Sequence, residues 1–94
     1  MVIVEVKSTP NAGFKKKFLN EFNKVAITVR KEVGCLEYEI YQKDFESLDI
    51  FIFERWESKE ALDAHLKTNH MLAFFAKTED WFDLEKELTV YEVQ

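Results

Sequence analysis

Alternation of apolar and polar residues predicts a β-strand near each end of the chain. Residues 2–7 carry valine at every second position, and residues 88–93 are rich in β-branched and aromatic side chains. Successive side chains of a strand point to opposite faces, so a two-residue period is typical of a strand with one face on a core. We therefore predict the first and last strands at these two segments.

The spacing of apolar residues after the first strand predicts a long amphipathic helix. Apolar side chains recur at intervals of four, four, three and four residues, at Phe14, Phe18, Phe22, Val25 and Val29. This period matches one face of an α-helix. Pro10 suits the start of such a helix, and Asn11 is a candidate cap. Gly34 is placed to end it.

Two further strands are predicted in the middle of the chain. In residues 35–43, Leu36, Tyr38 and Ile40 are expected on one face. The other face is expected to carry Cys35, Glu37, Glu39 and Tyr41. The apolar run Ile50–Phe53 predicts the third strand. Only a short polar connection separates these two strands, so we expect an antiparallel hairpin.

Two short helices with one histidine each are predicted after the third strand. Ser58 is a candidate cap for the first helix, whose apolar stripe contains Leu62 and Leu66. His65 lies beside Leu66, at the border of this stripe. Thr68 or Asn69 can cap a second helix that begins just before His70.

The order of these elements predicts a single α+β domain over residues 1–94. It is the β-α-β-β-α-β order of the ferredoxin-like fold. Phe51 and Phe53 fall on one face of the third strand, whereas Ile50, Ile52 and Trp56 fall on the other. Helices cover only one face of such a sheet, so the second apolar face predicts an association surface. We expect a homodimer in which two sheets pack face to face.

Composition excludes several classes of partner. The 94 residues carry a net charge of −5, which argues against nucleic acid because phosphate binding needs a basic face. No apolar run approaches the ~20 residues that span a membrane. The first residues enter a strand directly, so no secretion signal is predicted. Cys35 is the single cysteine; it cannot form an internal disulfide, which favours the cytoplasm.

Several short segments together resemble the antibiotic biosynthesis monooxygenase superfamily, in particular its small quinol monooxygenases. These segments are Gly34–Glu39, Phe53–Trp56, Ala61–His65 and Thr68–His70. The resemblance implies a dimeric α+β barrel with a pocket between the sheet and the two short helices. It also implies oxygenation of a small quinol or polyphenol by molecular oxygen, with no bound cofactor. In such chemistry the electron-rich substrate itself supplies the electrons.

The residue types suit this chemistry. Histidine can remove a quinol proton near neutral pH because its ordinary pKa is ~6.5, so His65 and His70 are the candidate catalytic bases. The candidate substrate-binding residues are Trp56, Tyr38, Glu54, Phe74 and Phe75. Trp56 or Tyr38 can stack on a ring, and Glu54 can orient an imidazole. Each of these residues also has a purely structural interpretation, in the core, at an interface or on the surface.

Other functions remain open at this stage. No metal site is predicted, because residues five apart on one helix point about 140° apart, and no third histidine is present. The two histidines could approach each other only if the helix is interrupted at Thr68 and Asn69. Haem degradation is disfavoured because the first strand lacks the asparagine of those relatives. The alternatives are an isomerase of a small metabolite, with or without a phosphate group, and a non-catalytic dimer that binds a small molecule or a protein. A phosphate would have to be held by Arg55, Lys59 or Lys67.

Overall fold

A four-stranded antiparallel sheet with helices on one face forms the protein, as seen in a computed structural model that describes residues 1–94. The elements are β1 Val2–Ser8, α1 Lys15–Val29, β2 Cys35–Gln42, β3 Ile50–Trp56, α2 Lys59–Leu66, α3 Asn69–Thr78, a 3₁₀ turn Glu79–Trp81 and β4 Glu87–Glu92. The strand order is β2-β3-β1-β4. The predicted ferredoxin-like α+β fold and the β2–β3 hairpin are confirmed.

The core lies between the inner face of the sheet and the helices. Every second residue of β3 is buried, beginning with Ile50, while Phe51 and Phe53 on the outer face are only partly covered. The fully buried aromatic side chains are Phe18, Phe22 and Trp56. Helix α1 contributes most of its predicted stripe to this core, since Phe18, Phe22 and Val29 are buried. No helix has an apolar stretch long enough to cross a bilayer.

Both predicted boundaries of α1 are wrong. Asn11 does not cap the helix, because its Oδ1 accepts a hydrogen bond from the Asp83 backbone N–H. The N-cap is Phe14, without a side-chain cap. At the other end the helix stops at Val29 with Arg30 as its C-cap, because the backbone N–H groups of Lys31 and Glu32 bond to the carbonyls three residues back. Gly34 therefore belongs to a separate turn, residues 30–34, that precedes β2.

A β-bulge corrects the predicted faces of β2. Cys35 pairs with Trp56, whereas Glu37 pairs with Arg55, so Leu36 is the extra residue of the bulge. The bulge turns Cys35 to the inner face, where it packs against the core. Leu36, which was predicted on the same face as Tyr38, is 44% exposed. Tyr38 follows the prediction and lies on the inner face.

The two short helices begin as predicted. The hydroxyl oxygens of Ser58 and Thr68 accept hydrogen bonds from the backbone N–H groups of Ala61 and Met71, respectively. The predicted apolar stripe of α2 is wrong in its second member, because Leu66 is 44% exposed and His65 is buried in its place. The imidazole can replace a leucine here because polar partners meet its ring inside the core.

Candidate functional site

One carboxylate holds both histidines of the chain. Glu32, in the turn after α1, places Oε2 3.0 Å from Nδ1 of His65 and 2.8 Å from Nε2 of His70. Its Oε1 lies 3.2 Å from the same nitrogen of His65. An ionised carboxylate only accepts, so each imidazole donates an N–H to Glu32. This fixes His65 as the Nδ1–H tautomer and His70 as the Nε2–H tautomer when both are neutral.

The break between α2 and α3 makes this convergence possible. Thr68 caps α3, and its hydroxyl donates to the His65 carbonyl oxygen at 2.8 Å. The chain therefore changes direction between the two histidines, and their side chains meet at Glu32 rather than diverging. No group of three or more His, Cys, Asp or Glu side chains is arranged to hold a metal ion.

His65 is enclosed by aromatic side chains. Its side chain is 1% exposed, and its ring centroid lies 4.5 Å from that of Trp56 and 5.6 Å from that of Tyr38. Burial lowers the pKa of His65 because the charged imidazolium is poorly solvated there, although the contact with Glu32 acts in the opposite direction. Burial likewise raises the pKa of the Tyr38 hydroxyl. His65 is therefore set up as a neutral, oriented imidazole.

Glu54 lies on the other side of the His65 ring. Its Oε1 accepts a hydrogen bond from Trp56 Nε1–H at 3.0 Å and is 3.9 Å from His65 Nε2. Its neighbours across the sheet are Val4 and Tyr38, and no Lys or Arg pairs with it. Burial raises the pKa of Glu54 to about 7, against the lowering effect of the Trp56 hydrogen bond, and the Glu32 charge adds to the increase.

Replacing Glu54 with glutamine is expected to change how stability depends on pH. Burial raises the pKa of the folded carboxyl to about 7 from an ordinary value of 4.5, so the contribution of Glu54 to stability is greatest below pH 4.5 and falls as the pH rises to 7. That loss is about 3 kcal/mol at ~1.4 kcal/mol for each pH unit. Glutamine carries no such proton. The free energy of unfolding of Glu54→Gln should therefore increase relative to wild type across this interval.

Urea unfolding at a series of pH values measures this difference. Glu39→Gln is the control, since Glu39 is a half-exposed residue that pairs with Arg30 at the surface. If the free energies of unfolding of wild type and Glu54→Gln differ by the same amount from pH 4 to pH 8, Glu54 is not a buried, protonated acid.

His70 is the accessible member of the site. Its side chain is 28% exposed, and its Nε2 is held by Glu32 and Thr68. Nδ1 makes no hydrogen bond within the protein, so a neutral His70 has a free lone pair there. His70 also lines a groove of ≈ 370 Å³ between α1 and α3. The groove residues are Glu21, Lys24, Val25, Thr28, His70, Ala73, Phe74 and Lys77.

The residues predicted to bind substrate fall into separate places. Trp56 and Tyr38 are fully packed in the core, where neither ring offers a free face. Phe74 is mostly buried against Phe18 and forms part of the groove wall. Phe75 is partly exposed, contacts Phe74 and does not line the groove.

The pocket expected between the sheet and the short helices is filled by side chains. His65, Trp56 and Tyr38 occupy that space. A second cavity, of ≈ 670 Å³, lies at the far end of the sheet between Ser8, Tyr41 and Leu84, and no predicted site residue lines it. The α1–α3 groove is thus the cavity next to the histidines.

Sequence reasoning missed Glu32, the residue that joins the site. It follows Arg30 and Lys31 in a charged segment and has no local feature that separates it from a surface residue. The predicted helix continued to Gly34, whereas the structure has a turn at residues 30–34 that directs the Glu32 carboxylate toward α2. Its position two residues before Gly34, where the segment that resembles the family begins, is the one available signal.

A sequence profile of the antibiotic biosynthesis monooxygenase family matches residues 1–77. The chain belongs to this family. It is 36% identical over 81 residues to YgiN of Escherichia coli, described as a probable quinol monooxygenase, and the match covers 78% of each chain.

Solved structures agree with this family assignment at the level of the fold. A conserved protein from Methanosarcina mazei superposes with a TM-score of 0.91 at 24% identity, over 99% of this chain and 92% of that one. A protein from Mycobacterium tuberculosis gives 0.89 at 24% identity, over 99% and 93%. These structures show the fold, whereas the family profile and the similarity to YgiN support a monooxygenase.

Proposed function

We propose that the protein is a cofactor-independent monooxygenase of a small quinol or polyphenol, with His70 as the base. The main support for this proposal is the contact between Glu32 and His70. Glu32 accepts the Nε2–H of His70, so the lone pair of Nδ1 is available to a substrate in the α1–α3 groove. The relationship to a probable quinol monooxygenase supports the substrate class. His65 is a positioning residue, since its buried ring holds Glu32 from the other side.

The proposed reaction balances without an added reductant. Nδ1 of His70 takes the proton of one quinol hydroxyl, and the resulting phenolate is electron-rich enough to form a carbon–oxygen bond with O₂. Protonation of the outer oxygen gives a hydroperoxide. Removal of the hydrogen on the same ring carbon then breaks the O–O bond, and the outer oxygen leaves as water. Overall, quinol and O₂ give a hydroxyquinone and water.

Oxygen uptake with a panel of reduced quinols tests this function. Wild-type uptake should exceed autoxidation, and His70→Ala should lower the enzymatic rate about 10²-fold, the usual contribution of a positioned base. Lys67→Ala is the matched control, because Lys67 is exposed in the same turn and does not line the groove. Uptake no faster than autoxidation would contradict the proposal, and so would full activity in His70→Ala.

We also propose that the protein is a homodimer in which the outer sheet faces pack together. This face carries Ile3, Tyr41, Phe51, Phe53 and Tyr91. No helix covers it, and Tyr41 and Tyr91 are about half exposed. These apolar side chains lie among charged ones that include Glu5, Glu39 and Arg55. An exposed apolar patch with a polar surround marks an association surface. A second copy fits because a two-fold axis pairs the face with itself.

Phe53→Glu should convert such a dimer to a monomer. Phe53 lies on the outer face between its cross-strand neighbours Glu5 and Glu39, so the substitution places a third carboxylate beside these two in the interface of each copy. Leu66→Glu is the control, since Leu66 is an equally apolar but exposed position on α2. Sedimentation equilibrium measures the masses. A monomeric wild type, or a dimeric Phe53→Glu variant, would contradict the proposed interface.

A further inference from the structure

Two lysines border the groove next to His70, one from each helix that forms it. Lys24 lies on α1 and Lys77 on α3. Both ammonium groups approach the same carboxylate oxygen, Glu21 Oε1, at 3.5 Å and 3.0 Å. Two cations thus share a single anion at the edge of the groove.

This edge has the opposite charge to the rest of the protein. Of the charged groove residues, two are lysines and one is a glutamate, so the edge carries an excess positive charge when His70 is neutral. The whole chain carries −5. A positive patch on a negatively charged protein attracts anions to that patch, while the rest of the surface repels them.

The walls of the groove provide the apolar part of a binding site. Val25, Ala73 and Phe74 line it between the lysines and His70. A flat ring can lie on these side chains, as in other small-molecule sites, while a few polar groups orient it. The ring would then lie beside His70, with the lysines near one edge.

We infer that the groove selects aromatic ligands that carry an anionic substituent, such as a carboxylate, and that Lys24 and Lys77 are the residues responsible. The inference relies on the proposed function for placing the substrate in this groove, but it concerns binding and not turnover. It narrows the substrate class from any quinol to an anionic one. Each lysine is solvent-exposed, so we expect a contribution of about three- to fivefold in affinity, reduced by salt.

Binding of 2-naphthoate and of the neutral 2-naphthol to the full chain tests the inference. Chemical shifts in NMR spectra give both the affinity and the residues affected. We expect the wild type to bind naphthoate at least threefold more tightly than naphthol at low salt, with shifts at His70 and Ala73. Lys24→Gln/Lys77→Gln should lose this preference. Lys16→Gln, an exposed α1 residue outside the groove, should keep it.

Equal affinities in the wild type would overturn the inference, as would a preference that persists in the double variant or shifts confined to other surfaces. The result is separate from the oxygenase assay. Lysine-dependent naphthoate binding without oxygen uptake would contradict the proposed function alone. Oxygen uptake without any preference for the anion would contradict only the inference.

Discussion

Glu32→Ala is expected to lower the rate of oxygen uptake with a reduced quinol by about 10²-fold, similar to loss of the base itself. Without the carboxylate, only the Thr68 hydroxyl is left to accept the Nε2–H of His70, so this tautomer is less favoured. His65 at the same time loses the acceptor of its buried Nδ1–H. An unsatisfied buried donor costs about 1–3 kcal/mol, so the free energy of unfolding should also fall. Oxygen electrodes and urea unfolding measure the two effects.

Two further variants test the role of the acceptor oxygen. Glu32→Gln keeps the size and one acceptor oxygen, the number that contacts both imidazoles, so it should retain more stability and more activity than alanine. Glu39→Gln removes an exposed carboxylate and should leave both quantities unchanged. Full activity in Glu32→Ala would mean that the carboxylate does not organise the site.

Gly34→Ala is expected to destabilise the protein by about 3 kcal/mol, from left-handed backbone strain and overpacking together. Gly34 has φ +85°, and a Cβ there would lie 2.5 Å from Cβ of Ala61 on α2. The Gly34 carbonyl also accepts the Glu57 N–H at 2.8 Å, so the loop and the start of α2 cannot easily separate. Displacement of α2 would move His65 away from Glu32. Thermal or urea unfolding measures the loss.

Gly13→Ala is the matched control for this substitution. Gly13 also has positive φ, +89°, but a Cβ there would meet nothing within 4 Å. Gly13→Ala should lower the free energy of unfolding only by the backbone strain, about 1 kcal/mol. Equal losses for the two variants would show that the approach of Ala61 to Gly34 does not matter.

Local sequence signals predicted those parts of the fold that depend on neighbouring residues. The caps at Ser58 and Thr68 were predictable because a hydroxyl side chain satisfies N–H groups two or three residues ahead. The alternation in β3 was predictable because each strand residue has a fixed face. The bulge at Leu36 was not, because it depends on pairing with another strand.

The site depends on contacts between distant parts of the chain, and this limited its prediction. Both histidines could be identified from sequence, yet their shared partner is 33 residues away from one and 38 from the other. The burial of His65 in place of Leu66 follows from the same contact, because an imidazole is stable in the core only when its N–H is accepted. The spacing of apolar residues in the sequence, taken alone, predicts that Leu66 is buried and not His65.

The proton positions on the two imidazoles test the central claim most directly. Two-bond ¹H–¹⁵N NMR spectra at a pH where both rings are neutral report which nitrogen of each ring carries the proton. The structure predicts the proton on Nε2 of His70 and on Nδ1 of His65, with the His70 preference weakened in Glu32→Ala. A proton on Nδ1 of His70 in the wild type would contradict the account, because the lone pair of the proposed base would then lie on Nε2, beside Glu32 and Thr68.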